Sequence, residues 1–295
     1  MTIHYSFPRY LAAKKPIDDR ALNQHVWETM TRAISPAAPG APLRILEVGC
    51  GIGTMFARLI ERKWAETFPL TYTGIDSSPE NIAAAQQHFS PTTNSPSPIS
   101  ITSPSSPTFL LADLFSLPPA ISPASFDLLI AHAVLDLLDL PRALPHLFSY
   151  VRPGGLFYFT LNFDGETIFQ PEHPLDPLIL ALYHRTMDER LTDNRPSGDS
   201  RTGRHLFAHL NHAGAEILAA GSSDWVIFPR AHGYPGDEAY FLHHILHFFE
   251  QSLSGRPEVS ENQLTAWLTA RRAQIENCEL IYLAHQLDFV GRIVL

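Results

Sequence analysis

Cysteine is almost missing from this chain. The two that occur, Cys50 and Cys278, form no C-x-x-C pair and no disulfide framework. That excludes a cysteine-ligated zinc ribbon and a disulfide-stapled scaffold, and suits a reduced, cytoplasmic setting. Long apolar runs are missing too. No stretch approaches the roughly 18 apolar residues that span a bilayer, and residues 1–10 lack the apolar core of a secretory signal. Basic excess is also absent. The net charge is −9, and Lys/Arg occur at most in pairs such as Lys14-Lys15. Nucleic acid is therefore a poor partner, since its binding draws on attraction to phosphates. No H-E-x-x-H or other firm metal-ligand spacing appears, so no metal is expected.

What remains is ordinary globular composition, 45% apolar and 17% charged, in 295 residues. That is enough for one elaborated α/β domain. Residues 11–34 read as a helical lead-in, closed by the Pro/Gly-rich breaker at 35–42. Strands at about 43–48, 70–75, 108–112, 126–131 and 156–162 then alternate with helices, which implies right-handed crossovers and a parallel sheet. Residues 90–107 are nearly all Ser, Thr and Pro. They read as a low-complexity surface loop that carries no chemistry. The second half reads as helices near 177–190, 204–213, 236–253 and 260–277, with strand regions at 215–228 and 280–290.

The segment Leu46-Glu-Val-Gly-Cys-Gly-Ile-Gly53 joins the first strand to the first helix of that series. Gly49, Gly51 and Gly53 let the backbone approach a ligand closely. The dinucleotide fingerprint G-x-G-x-x-G would require Gly at 54, and Thr54 stands there. Glu47 just before the turn is a poor neighbour for a pyrophosphate. It is a good one for a ligand bearing an ammonium and a sulfonium. Asp76 ends the second strand, where an acid can hold ribose hydroxyls, and Asp113 ends the third, where it can accept from an adenine amino group.

This ordered set, with Ala112-Asp-Leu114, Phe126-Asp-Leu-Leu-Ile130 and Arg152-Pro-Gly-Gly155, resembles class I S-adenosylmethionine-dependent methyltransferases over residues 43 to 162. The second half is similar to a group of bacterial small-molecule methyltransferases. The resemblance implies a Rossmann-like α/β fold: a seven-stranded, mostly parallel sheet with helices on both faces and an inserted helical cap. In this division residues 1–42 are a helical lead-in or lid and 43–295 the catalytic domain, with cap insertions at about 164–213 and 231–278. Glu47, Gly49, Gly51 and Gly53 would line the methionine end of the cofactor. Asp76 would hold the ribose, and Asp113 with Leu114 the adenine. Ala131 and His132 would lie near the donor methyl, and Cys50 and Ser77 complete the cofactor set.

His132 is the candidate general base, set against a purely packing role. Cys50 reads as a small spacer, because displacement at a sulfonium needs no covalent enzyme intermediate. Arg201 and Arg204, in the polar string opening a helix, either hold an anion or belong to a solvated, capped loop. Tyr240 and His243 read as a substrate-pocket wall, and Tyr5, Arg9 and Tyr10 as a segment folding over the cofactor or a frayed terminus.

The function expected is methyl transfer from S-adenosylmethionine to a small-molecule acceptor, leaving S-adenosylhomocysteine. A macromolecular methyltransferase or a non-catalytic scaffold are the alternatives. After the fourth strand Ala131-His-Ala-Val134 stands where a nucleic-acid-modifying relative would carry an Asn/Asp-Pro-Pro-Tyr/Phe tetrapeptide. The ribose assignment predicts that Asp76→Ala weakens S-adenosylhomocysteine binding while the circular dichroism of the fold is kept. A variant that binds as tightly as the wild type refutes it.

Overall fold

The computed structural model describes residues 4–90, 107–192 and 194–294. Most of the Ser/Thr/Pro expansion at 90–107 therefore lies outside the described residues. Two helices lead in, α1 (Phe7–Ala21) and α2 (Gln24–Ala33). They part at Asn23, whose side chain accepts from Val26 N and caps α2. Then come β1 (Leu43–Val48), α3 (Thr54–Glu61), α4 (Trp64–Thr67), β2 (Leu70–Asp76), α5 (Pro79–His88), β3 (Thr108–Leu111) and β4 (Phe126–His132). The one helix expected over 54–66 divides at Lys63, which has φ 62°.

After β4 the continuous helix expected up to Tyr150 is instead a 3₁₀ turn, Leu135–Leu137, followed by α6 (Leu140–Phe148). The remainder is β5 (Val151–Gln170), α7 (Asp176–Asp188), the short hairpin β6 (Leu191–Thr192) and β7 (Arg195–Pro196), α8 (Thr202–His212), β8 (Ala215–Ser222), β9 (Trp225–Ile227), α9 (Glu238–Leu253), α10 (Glu261–Glu276) and β10 (Ile281–Ile293).

The main sheet runs β3-β2-β1-β4-β5-β10-β8. Its first five strands are parallel, and β10 is antiparallel to both β5 and β8. β9 adds an eighth strand: β8 and β9 share one edge of β10, along 287–293 and 282–284. Alternation along the strands feeds two cores. Ile45, Leu128, Ile130 and Tyr158 pack under α2 and α3, while Leu46, Leu129, Ala131 and Phe157 pack under α6 and α8. Both faces are covered, so β4 is buried at every position and reads as a continuous apolar run. Its one acid, Asp127, accepts from the Arg44 backbone N–H at 2.8 Å and from Arg152 Nε at 2.7 Å.

The largest departure from expectation is β5. A cap insertion was expected to begin near 164, but the strand continues to Gln170. β4 leaves it at the pair His132–Thr160, and residues 161–170 run on against β10 alone. At about 3.3 Å per residue, this arm projects on the order of 30 Å beyond the carboxyl edge of the parallel sheet. A third core forms on the arm, with Ile17 of α1, Ile179 of α7, Phe241 and Phe249 of α9 and Trp267 of α10 packed around Phe169 and Tyr282. No helix of the described residues is long and apolar enough to cross a membrane.

α1 is held to this body by one buried acid. Asp18, 2% exposed, accepts from Lys14 Nζ at 2.7 Å, His132 Nε2 at 3.0 Å, Trp225 Nε1 at 2.9 Å and Arg58 Nη2 at 3.4 Å. Burial alone would push its carboxyl up. The Lys14 ammonium, then the His132 and Arg58 contacts, outweigh burial and hold it below the ordinary carboxylate range. The tie is thus complete at neutral pH and is lost only as pH falls through that depressed value. Asp18→Ala leaves buried cations uncompensated and should lower the unfolding free energy by about 3–5 kcal/mol in a urea titration. Asp237→Ala, which removes the exposed partner of Arg9, should change it little. Equal effects would show that the Asp18 cluster is not what fastens α1.

Candidate functional site

A cavity of about 650 Å³ opens at the carboxyl ends of β1, β2 and β4. Its inner half is the glycine turn. Gly49, Gly51 and Gly53 all take φ between 54° and 82°, the left-handed region that only glycine enters at little cost. At all three a Cβ would also meet a neighbouring side chain closely enough to force a shift. A Cβ on Gly49 would stand 2.8 Å from Val134 Cγ2, and one on Gly51 2.8 Å from Leu11 Cδ1 of α1. Gly53 caps α3 and faces Phe89 and Phe109 instead of the cavity, so its demand is packing.

Three acids surround the turn. Glu47 lines the cavity at 1% exposure, with Tyr72 Oη bonded to its Oε2. Burial pushes its carboxyl well above the ordinary glutamate value. Asp76 accepts from Gly51 N at 2.9 Å through one oxygen, and from Ser78 N at 2.8 Å and Asn81 Nδ2 at 3.3 Å through the other. It therefore also braces the glycine turn. Asp113, exposed at the rim, accepts from Phe115 N at 2.7 Å. Ser77, Ala112 and Leu114 lie beside these acids in the cavity wall. Cys50 lies buried against Gly74, and burial followed by the Glu47 and Asp76 charges pushes its thiol far up, so it stays a protonated spacer.

His132 lines the cavity, but neither ring nitrogen is free. Nε2 faces Asp18 at 3.0 Å and Nδ1 faces Thr160 Oγ1 at 2.7 Å. The tautomer that serves both partners donates from Nε2 and accepts at Nδ1. Burial, then the Arg58 and Lys14 charges, lowers its pKa to about 3. A neutral ring with both nitrogens engaged is a poor proton acceptor, so the geometry gives His132 a structural part and not the general-base part expected from its position. Ala131, fully buried in the core under α6, does not line the cavity.

Of the expected substrate residues, Tyr10 alone lines the cavity. Arg9 pairs with Asp237 and lies 3.7 Å over the Tyr240 ring, while Tyr240 Oη accepts from Ser6 N at 2.9 Å. Tyr5 stacks on His247 at 4.0 Å, and His243 Nε2 lies 3.1 Å from Glu276. These groups fasten the N-terminal segment to α9, and α9 to α10, outside the cavity. Arg204 is bound to Asp164 at 2.9 Å, and Arg201 packs on Gly165, along the projecting arm.

The cavity's outer half was missed in the sequence. Asp136 in the 3₁₀ turn, Tyr183 of α7, Arg190 just after that helix, and Tyr282 and Gln286 of β10 line it together with Tyr10. Asp136 alone carried a usable signal, as an acid just beyond a strand's carboxyl end. The others come together only because β5 and β10 project past the sheet.

A family model described as a methyltransferase domain matches residues 22–218. Trans-aconitate 2-methyltransferase of Streptomyces avermitilis is 31% identical over 144 residues, 48% of this chain and 45% of that protein. The enzyme of the same name from Delftia acidovorans is 31% identical over 113 residues, 38% and 35% of the two chains. The match thus spans less than half the length of these curated relatives. Among solved structures, a Bacillus halodurans C-125 protein described as a methyltransferase superposes with a TM-score of 0.52 at 10% identity, covering 92% of this chain and 99% of its own. The YcgJ protein of Bacillus subtilis gives 0.50 at 12%, covering 92% and 98%. The glycine turn, the acids at the strand ends and the sheet order agree with that match: the chain belongs to the methyltransferase domain family, whose cofactor is S-adenosylmethionine.

Proposed function

We propose that this protein transfers the methyl group of S-adenosylmethionine to a small-molecule acceptor bound in the outer half of the same cavity. One observation carries the reading. The glycine turn with its acids opens directly into a second, aromatic-lined compartment, so donor and acceptor would meet without crossing solvent. The two trans-aconitate 2-methyltransferases, named for a small acceptor, lend support. The free, unpaired Cys50 and Cys278 suit a reducing, cytoplasmic setting. In this division the lead-in contributes α1 as a docked wall, with α9 and α10 the cap behind it.

The residues fit the cofactor. The turn is a cradle that a Cβ would fill, and the acids around it match a ligand carrying positive charge. Glu47 would face the ammonium, Asp76 the ribose hydroxyls, and Asp113 with Leu114 the adenine. A carboxylate oxygen accepts more than one hydrogen bond, so Asp76 can brace Gly51 and hold ribose together. When bound, the cofactor supplies an electrophilic methyl on sulfur. The chain's part is to bind, align and exclude water, and alignment alone can supply several kcal/mol. Lys14 and Arg58 remain committed to Asp18.

Calorimetric titration with S-adenosylhomocysteine should give micromolar affinity and no heat with NAD. Binding of neither would favour a scaffold that only shares the fold. Glu47 adds a second expectation. Its raised pKa means that the ionised form costs stability, and increasingly so as pH rises above the ordinary glutamate range. Glu47→Gln should therefore melt higher than the wild type, by roughly 2–4 °C if about 1 kcal/mol is relieved. It should at the same time bind S-adenosylhomocysteine about tenfold more weakly. A variant that melts higher and still binds fully would separate Glu47 from the cofactor.

A further inference from the structure

The outer compartment contains polar groups that the fold leaves unused. Asp136 lines it, and its carboxylate takes no hydrogen bond from any other described residue. Burial raises its carboxyl above the ordinary aspartate value against the pull of Arg190 and Lys14, with Asp199 adding to the rise. Tyr10, Tyr183 and Tyr282 line the same space, and none of their hydroxyls bonds to another described residue. Gln286 is 2% exposed, and its Oε1 has no partner among the described residues. These rings are fixed from behind. Tyr10 stacks on Phe241 with centroids 5.4 Å apart, Tyr183 stacks on Phe249 at 3.9 Å, and Tyr282 lies against Phe169 at 5.0 Å. Flat walls held in place, with tyrosine hydroxyls that no described residue engages, suit a planar aromatic ligand with polar substituents.

Charge narrows the class. A polycarboxylate would meet Asp136 directly. Lys14 could not relieve that repulsion, being bound to Asp18, and Arg190 already offsets Asp136 itself; Arg142 and Arg195 line the cavity as well. An ammonium would lie between Arg190, Lys14 and the donor sulfonium. A neutral hydroxyl avoids both conflicts and gives Asp136 the hydrogen bond it lacks.

Resting on the methyltransferase reading above, we propose that the acceptor is a neutral hydroxyaromatic compound. Its ring lies among Tyr10, Tyr183 and Tyr282, and its hydroxyl donates to Asp136, which takes the proton as the methyl is transferred. The acceptor oxygen's lone pair forms the new carbon–oxygen bond. The pair of the broken carbon–sulfur bond stays on sulfur, which becomes a neutral thioether. The hydroxyl proton passes to Asp136 and returns to solvent when the ether leaves.

The probe is 4-nitrophenol, titrated into protein saturated with S-adenosylhomocysteine at a pH above the probe's own pKa. The wild type should bind it as the protonated phenol, so the yellow nitrophenolate band falls saturably. Asp136→Asn should bind it with that band retained. With S-adenosylmethionine and phenol, whose hydroxyl stays protonated in solution at that pH, the wild type should form the methyl ether, and Asp136→Asn should lose about 100-fold in kcat, the scale of general-base catalysis. S-adenosylhomocysteine affinity should stay within about twofold. Binding of nitrophenolate by the wild type, no binding of the probe, tighter binding of trans-aconitate in its place, or equal turnover in the variant each overturns the proposal. Protonated binding without ether formation overturns Asp136's role as proton acceptor. The wild-type titration decides the ligand class even if the variant fails to fold. Failure to bind S-adenosylhomocysteine at all would sink the methyltransferase reading instead.

Discussion

The buried carboxylate of Asp18 ties the lead-in helix to the sheet and to the arm built on it. Asp18 receives Lys14 from its own helix, Arg58 from α3, His132 from the end of β4 and Trp225 from β9. Any of those cations buried alone would be costly, and so would the acid. Together they satisfy one another at the junction of the lead-in helix, the parallel sheet and the arm built on β10. The site depends on that junction. Leu11 of α1 closes over Gly51, and Tyr10 of the same helix forms a wall of the outer compartment. A second buried acid strengthens the seam. Asp288 of β10 accepts from Asn23 N, at the break between α1 and α2, and from Leu161 N, where the arm departs, both at 2.8 Å. Burial raises its pKa to about 6.

The cavity consequently has two origins. Its inner half is what an open parallel sheet offers at the carboxyl ends of its strands, a turn of glycines with acids at the strand tips. Its outer half is assembled from the overhanging ends of β5 and β10 and the helices packed on them. Tyr10, Tyr282 and Gln286 of that half lie outside the residues matched by the family model, whereas Asp136 and Tyr183 lie within. The cradle thus lies within the family match, and the outer half of the cavity draws residues from both sides of its bounds.

That division explains what could be read from the sequence. Glu47, Gly49, Gly51, Asp76 and Asp113 announce themselves through spacing, because each position is set by the strand or turn that carries it. The parallel strand series was legible for the same reason, since β1 and β4 are apolar on both faces. The continuation of β5 past Asn162 was not. Phe163 to Gln170 reads Phe-Asp-Gly-Glu-Thr-Ile-Phe-Gln, with no clean apolar alternation to mark a strand and no earlier strand to pair with, so it reads as part of an insertion. Its partner, β10, lies more than a hundred residues later. Once the arm was missed, Tyr183, Tyr282 and Gln286 could not be brought together. His132 misled in the opposite way. Its place after β4 suggests chemistry, yet Thr160 and Asp18 occupy both nitrogens, and Asp18 comes from a helix whose docking no local pattern reveals.

The central claim is that α1 is a docked wall of the site before any ligand binds, and not a terminus that folds over it afterwards. Hydrogen exchange of the ligand-free protein tests this most directly. The account predicts that amides along α1 from Leu11 to Ala21 exchange as slowly as those of α3, with only modest further slowing when S-adenosylhomocysteine is added. Fast exchange along α1 in the free protein, converted to strong protection by the ligand, would contradict it.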